Sequence, residues 1–140
     1  MQSDVAELNE IATGFRRLID QCDPKRLGGN FDRFPIGCCG DASDLMAHHL
    51  CQLGYDPPQY VLGDSGSQSH AWLETNGFIV DITADQFDDN DRCWFAFTAT
   101  PKPQYLRKFR ELDRWTARLS DYDARSQSIL LRMYHVIVGG

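Results

Sequence analysis

A cysteine, a histidine and an aspartate follow one another in this chain, each inside a short stretch suited to a different chemical role. The stretches are Gly37-Cys38-Cys39-Gly40-Asp41-Ala42, Ser69-His70-Ala71-Trp72-Leu73-Glu74 and Val80-Asp81-Ile82-Thr83. A thiol needs a base before it becomes a nucleophilic thiolate. An imidazole base needs a carboxylate to fix its tautomer and orientation. These residue types in this order point to an acyl-transfer enzyme with a cysteine nucleophile.

The elements that carry the three residues follow from local patterns. A helix starts near Cys39, with Ala42, Leu45, Met46, His49, Leu50 and Leu53 as its buried stripe and Gly54 as its C-terminal cap. A cysteine at a helix start meets unpaired N–H groups and the positive end of the macrodipole, which lower a thiol pKa from ~8.5 toward neutrality. The same N–H groups can stabilise a tetrahedral oxyanion. Gly37 and Gly40 leave the backbone open to a substrate carbonyl. Cys39 continues the stripe of Met46, Leu50 and Leu53 toward the core side, whereas Cys38 points elsewhere. Cys39 is therefore the expected nucleophile, and Cys38 is the alternative beside it.

Residues 69 to 75 and 78 to 83 alternate in polarity and flank Asn76-Gly77, the strongest short signal for a type I′ hairpin. That turn opposes His70 to Thr83 and Trp72 to Asp81. His70 and Asp81 become diagonal neighbours on one face, roughly 7 Å apart at Cβ. Ala71, Leu73, Phe78, Val80 and Ile82 fall on the other face, which is uniformly apolar and faces the core. A one-residue register slip would separate the pair and expose the apolar set. Trp72 is expected to wall the pair from water. Asp85 and Gln86 follow closely enough to touch substrate.

These residues resemble the transglutaminase-like superfamily within the broad papain-like group. That family shows a Gly-x-Cys at a helix start, a His-Ala-Trp strand and an Asp-x-Thr strand after a hairpin. The matches are Gly37-Cys38-Cys39, His70-Ala71-Trp72 and Asp81-Ile82-Thr83, with Leu53-Gly54-Tyr55 at the end of the nucleophile helix. The resemblance covers residues 35 to 87. It implies Cys39 as nucleophile, His70 as base and then acid, and Asp81 as the residue orienting His70. Cys38, Gly40, Trp72 and Gln86 would border the substrate. Gly40 stands where the family often has an aromatic residue, and Ile82 where proline is common. No second oxyanion-hole side chain is identifiable from the sequence. The resemblance is to minimal bacterial members, expected to act as peptidases, amidases or deamidases, rather than to large calcium-dependent transglutaminases with flanking β-domains.

Around this centre, residues 4 to 21 read as an amphipathic helix with Val5, Leu8, Ile11, Ala12, Phe15, Leu18 and Ile19 inward. Residues 24 to 37, with two prolines and three glycines, read as a loop. A strand runs from Gln59 to Leu62, and a polar loop follows from Gly63 to Gln68. An acidic loop from Asp85 to Asp91 precedes a strand from Cys93 to Phe97. Helices are expected over 104 to 119 and 123 to 138, on either side of Asp121-Tyr122-Asp123. The order implies one α+β domain over residues 1 to 140, with N-terminal helices, the nucleophile helix on a small antiparallel sheet, and C-terminal helices.

Composition narrows the partners. A net charge of −6 and a pI near 5.0 disfavour a nucleic-acid backbone. Lys102, Arg107, Lys108, Arg110, Arg114 and Arg118 read as a solvated helix face. No run approaches the ~20 apolar residues of a membrane span. The start of the chain has no signal-peptide pattern, so a cytoplasmic protein is expected. Five cysteines, an odd count, argue against a disulfide framework, and Cys22, Cys51 and Cys93 read as small core residues. His49 is expected to be buried and His48 exposed. Asp88, Asp89, Asn90 and Asp91 lack the closing glutamate of an EF-hand loop. No metal or organic cofactor is needed for the chemistry. The resemblance implies a protein or peptide amide, such as a glutamine side chain, as substrate. A catalytically inactive peptide-binding module on the same fold and a deamidating toxin or effector are the alternatives. The oligomeric state stays open.

Overall fold

The Asn76-Gly77 turn organises the centre of the sheet. The computed structural model describes residues 4–90 and 94–139. Asn76 and Gly77 have φ of 50° and 82°, the left-handed values that a type I′ turn requires. Strand β2 (Ser69–Thr75) pairs antiparallel with β3 (Phe78–Val80), with Thr75 opposite Phe78, Glu74 opposite Ile79 and Leu73 opposite Val80. This is the register expected from the sequence. The ladder ends sooner than expected. Asp81 gives its N–H to the carbonyl of Phe95 at 2.8 Å, and residues Ala84–Gln86 coil into a single 3₁₀ turn.

Strand β1 (Gln59–Asp64) runs two residues past the expected end and pairs with β2; the Ser65 N–H closes the connection onto the Gln68 carbonyl. With β4 (Ala96–Thr98) and β5 (Arg110–Thr116), the sheet has the antiparallel order β4-β3-β2-β1-β5. The expected Cys93 start of β4 lies outside the described residues.

Strand β5 corrects the expected helix over 104 to 119. Only Gln104–Arg107 is helical there (α4, after the three helices given below). Leu106 and Phe109 are buried, and the chain then lies along the open edge of β1. Arg-Glu-Leu-Asp-Arg-Trp-Thr favours either state weakly. The unpaired N–H and C=O groups of β1 decide for the strand. The basic residues therefore form no common helix face. Arg114 on β5 bonds Glu74 and Glu111, while Lys102 and Lys108 lie over aromatic rings.

Helix α1 (Val5–Asp20) is capped by Asp4, which accepts from the Glu7 N–H, and it buries Leu8, Ala12, Phe15 and Ile19 as expected, with Arg16 among them. The expected loop after it contains a short helix, α2 (Pro24–Leu27), and a turn at Phe31–Arg33, which insert Leu27 and Phe31 into the core. Helix α3 (Cys39–Gln52) starts where the sequence placed it. It ends through Gly54 at φ 94°, with the Tyr55 N–H bonded to the Leu50 carbonyl. Leu53 is exposed rather than part of the stripe. Both His48 and His49 are half-buried, because each contacts Tyr134 on α5 (Ala124–Gly139).

The molecule is α+β, with five α-helices and five strands among the described residues. The main core lies between α1, α3, α5 and the sheet face bearing Ala71, Leu73 and Val80. The opposite face has its own core of Val61, Trp72, Ile79, Phe87, Phe97, Tyr105, Leu106 and Phe109. Gly63 makes this second core possible. A Cβ there would stand 2.9 Å from the Phe109 Cβ and 3.0 Å from the Trp72 ring. No helix among the described residues is long and apolar enough to cross a membrane.

Candidate active site

The start of α3 is chemically open. Cys38 occupies the cap position without a side-chain cap, and the first intrahelical bond runs from the Ala42 N–H to the Cys38 carbonyl at 2.9 Å. The N–H groups of Cys39, Gly40 and Asp41 therefore precede the ladder and remain available to an anion. The half-buried Cys39 side chain lies at this end, next to the N–H of Ala71 on β2.

His70, also on β2, meets the thiol from the sheet side. Its Nε2 lies 2.7 Å from Asp81 Oδ2, which leaves Nδ1 for Cys39. The expected diagonal relation thus becomes a direct hydrogen bond, made from just past the end of β3. His70 and Asp81 are each 1% exposed, so water does not screen the pair. Asp81 accepts from four donors. Oδ2 takes His70 and the Tyr105 hydroxyl at 2.8 Å, while Oδ1 takes the Thr83 N–H and hydroxyl, both at 3.2 Å.

Rings enclose the imidazole. Phe87 meets it edge-on with centroids 4.7 Å apart, Phe109 lies at 5.5 Å, Trp72 at 5.9 Å and Tyr105 at 6.4 Å. Aromatic faces favour an enclosed cation, and the low dielectric strengthens its attraction to charged neighbours.

Proton affinities follow from this packing. Burial alone would raise the Cys39 thiol, but the hydrogen bond and charge of His70 and the Ala71 N–H outweigh it and bring the pKa below the ordinary value. Burial alone would lower His70, yet Asp81 and the thiolate raise it to about 9. Burial pushes Asp81 up, while His70, Tyr105 and Thr83 hold it below the usual carboxylate range. All three directions favour thiolate, imidazolium and carboxylate together. Cys38 behaves oppositely. It is buried in the main core, and desolvation with the neighbouring Cys39 and Asp41 pushes its thiol to about 12.

The four expected substrate neighbours separate. Cys38 is a core residue, which corrects its placement against substrate. Trp72 is buried in the second core and donates its indole N–H to Glu74, so it is wall alone. Gln86 turns its amide back to the Thr83 carbonyl, and Asp85 is occupied by Arg16. Gly40 is half-buried in the first turn of α3, the residue after Cys39.

Two supporting residues were missed in the sequence. Tyr105 belongs to the segment read as a long helix. Arg16 lies on the inward stripe of α1 between Ala12 and Ile19, and a charge on an apolar stripe was the available signal. Its guanidinium reaches the Ile82 carbonyl at 2.8 Å, Asp85 at 2.7 Å and Asp20 at 3.0 Å, packed against Phe34 and Phe95. It fixes the backbone one residue after Asp81.

The chain matches no protein-family model, and neither a curated protein nor a solved structure matches it.

Proposed function

We propose that this protein is a cysteine-nucleophile amide hydrolase or acyltransferase of papain-like, transglutaminase-like type, acting on a protein or peptide amide. One observation carries the reading. A thiol at an uncapped helix start shares a buried imidazole with a carboxylate that only accepts hydrogen bonds. That combination keeps a thiolate beside an imidazolium near neutral pH.

The steps follow from the atoms. Cys39 Sγ attacks the amide carbonyl carbon, forming the C–S bond and placing the carbonyl electron pair on oxygen. The intermediate collapses as His70 gives its proton to the departing amine, leaving a thioester and neutral His70. Water or a second amine then attacks the thioester while His70 accepts its proton. Cys39 leaves as thiolate, and the starting charges are restored. Asp81 holds the ring and stabilises its positive form throughout without itself taking the proton. The identity of the second nucleophile decides between hydrolysis, deamidation and cross-linking.

The test is ammonia release from a blocked glutamine dipeptide and from casein, with and without hydroxylamine as acceptor. Wild type is expected to release ammonia and to form hydroxamate when hydroxylamine is present. Cys39→Ala is expected to lose both, while Cys38→Ala keeps them within a few-fold. Wild type that is inert and indistinguishable from Cys39→Ala, toward amides and toward activated esters alike, would favour a peptide-binding module.

A further inference from the structure

The sequence offered no side chain for an oxyanion hole, and the fold sets a tyrosine hydroxyl beside the start of α3. Tyr60 on β1 is 8% exposed, its ring packed into the main core. Its hydroxyl makes no hydrogen bond to any described residue, and since no fully buried side-chain oxygen among the described residues lacks a partner, the hydroxyl keeps contact with solvent while its ring is buried. That hydroxyl points to the first turn of α3. A Cβ built on Gly40, the residue after the nucleophile, would stand 3.0 Å from it. The free donor therefore lies beside the open N–H groups at the start of the helix.

The ring is held in place from outside. Trp115 of β5 stacks on it with centroids 4.4 Å apart and planes 14° from parallel. The Trp115 indole donates to the Tyr122 hydroxyl at 3.1 Å, and Tyr122 in turn donates to Asp44, on the same helix as Cys39. Burial, with the charges of Asp44, Cys39 and Asp41, raises the phenol above its ordinary pKa, so it remains a donor at working pH. A fixed donor beside a developing anion needs no reorganisation during the reaction.

We propose that the Tyr60 hydroxyl is the second donor of the oxyanion hole, acting with the first-turn N–H groups of α3 on the tetrahedral intermediate at Cys39. This rests on the cysteine-enzyme reading above. As the C–S bond forms, the carbonyl pair moves to oxygen and the phenol donates a hydrogen bond to it while keeping its proton. When the carbonyl re-forms, the hydrogen bond weakens and the leaving group departs. Gly40 is small because a side chain there would press on the hydroxyl and close the space that the oxyanion needs.

Two reagents separate this role from a structural one. p-Nitrophenyl acetate acylates a thiolate through an oxyanion, whereas iodoacetamide alkylates it by direct displacement at a saturated carbon. Tyr60→Phe keeps the ring and its stacking. It is expected to slow acylation by roughly 100-fold, the usual loss for one such donor, while the rate and pH profile of alkylation stay unchanged. Gly40→Ala is expected to slow acylation in wild type and to add little in the Tyr60→Phe background, because both act on one hydroxyl. Acylation at the wild-type rate in Tyr60→Phe would overturn the proposal. So would equal slowing of both reagents, which would mean that Tyr60 serves the thiol or the fold. A wild-type protein that neither acylates nor alkylates with a lowered thiol pKa would overturn the cysteine-enzyme reading and this inference with it.

Discussion

Asp81→Asn is expected to reduce amide turnover by about 10⁴-fold, the scale seen when the carboxylate of a nucleophile–histidine–carboxylate triad becomes an amide. The cause lies in the donor count. All four contacts on Asp81 are donors, and two converge on each oxygen. An asparagine amide must turn its NH₂ toward one of those donor pairs. The misfit costs about 2–4 kcal/mol of stability, and His70 loses the charge that keeps it protonated. Thermal unfolding and single-turnover rates would read the two effects separately.

The pH dependence has a defined sign. Asp81 is depressed in the folded state, so its contribution is present above the unfolded pKa and is lost as pH falls through the folded value. His70 is raised to about 9, so its contribution is complete below ~6.5 and disappears as pH rises through about 9. Wild type is therefore expected to be most stable between these limits, and Asp81→Asn to show a flatter profile. Amide turnover should fall above pH 9, where His70 no longer carries a proton for the leaving amine. Alkylation of the thiolate should not fall there. A shared basic limb for both reactions would contradict the assignment of His70 as acid.

Arg16→Met is expected to cost about 2–3 kcal/mol and to lower turnover at least tenfold. The ion pairs count for little, because Asp20 and Asp85 are each nearly half exposed. The larger loss is the donor to the buried Ile82 carbonyl, which a thioether cannot replace. That carbonyl sits one residue from Asp81, so a shift of the loop spoils the His70 hydrogen bond, and small misplacements cost large factors in rate. Arg16→Lys should fall between wild type and Arg16→Met, since an ammonium can reach the carbonyl or Asp85 but lacks the planar fork that reaches three acceptors. Unfolding midpoints and the alkylation profile at Cys39 would show whether stability and thiolate formation change together.

Short-range physics made the central elements legible. Asn-Gly set one hairpin register, alternation in Ala71, Leu73, Val80 and Ile82 identified the core face, and the apolar stripe from Ala42 to Leu50 marked a helix starting near Cys39. The hairpin register brought His70 and Asp81 together on paper, and the resemblance added Cys39 to them. What stayed hidden depends on distant partners. β5 becomes a strand because β1 has a free edge, and nothing within Arg110–Thr116 says so. Misreading that segment concealed Tyr105 on Asp81 and Trp115 on Tyr60. The second core was invisible for the same reason, since Phe87, Phe97, Leu106 and Phe109 come from segments with no common period. The two cysteines exchange their expected places: Cys38, expected to point away from the stripe, is sealed in the core, and Cys39, expected on its core side, is half-buried. At the cap of a helix, one position separates a half-buried thiol from one sealed in the core.

The most direct test of the central claim is the pH profile of iodoacetamide alkylation, resolved for each cysteine by peptide mass spectrometry, in wild type and His70→Ala. The thiolate–imidazolium pair requires Cys39 to react well below the pH of an ordinary thiol, with Cys38 unlabelled at neutral pH. In His70→Ala the Cys39 profile should move up, because burial is then opposed by the Ala71 N–H without the hydrogen bond and charge of His70. Preferential labelling of Cys38, or a Cys39 profile identical in both proteins, would contradict the account.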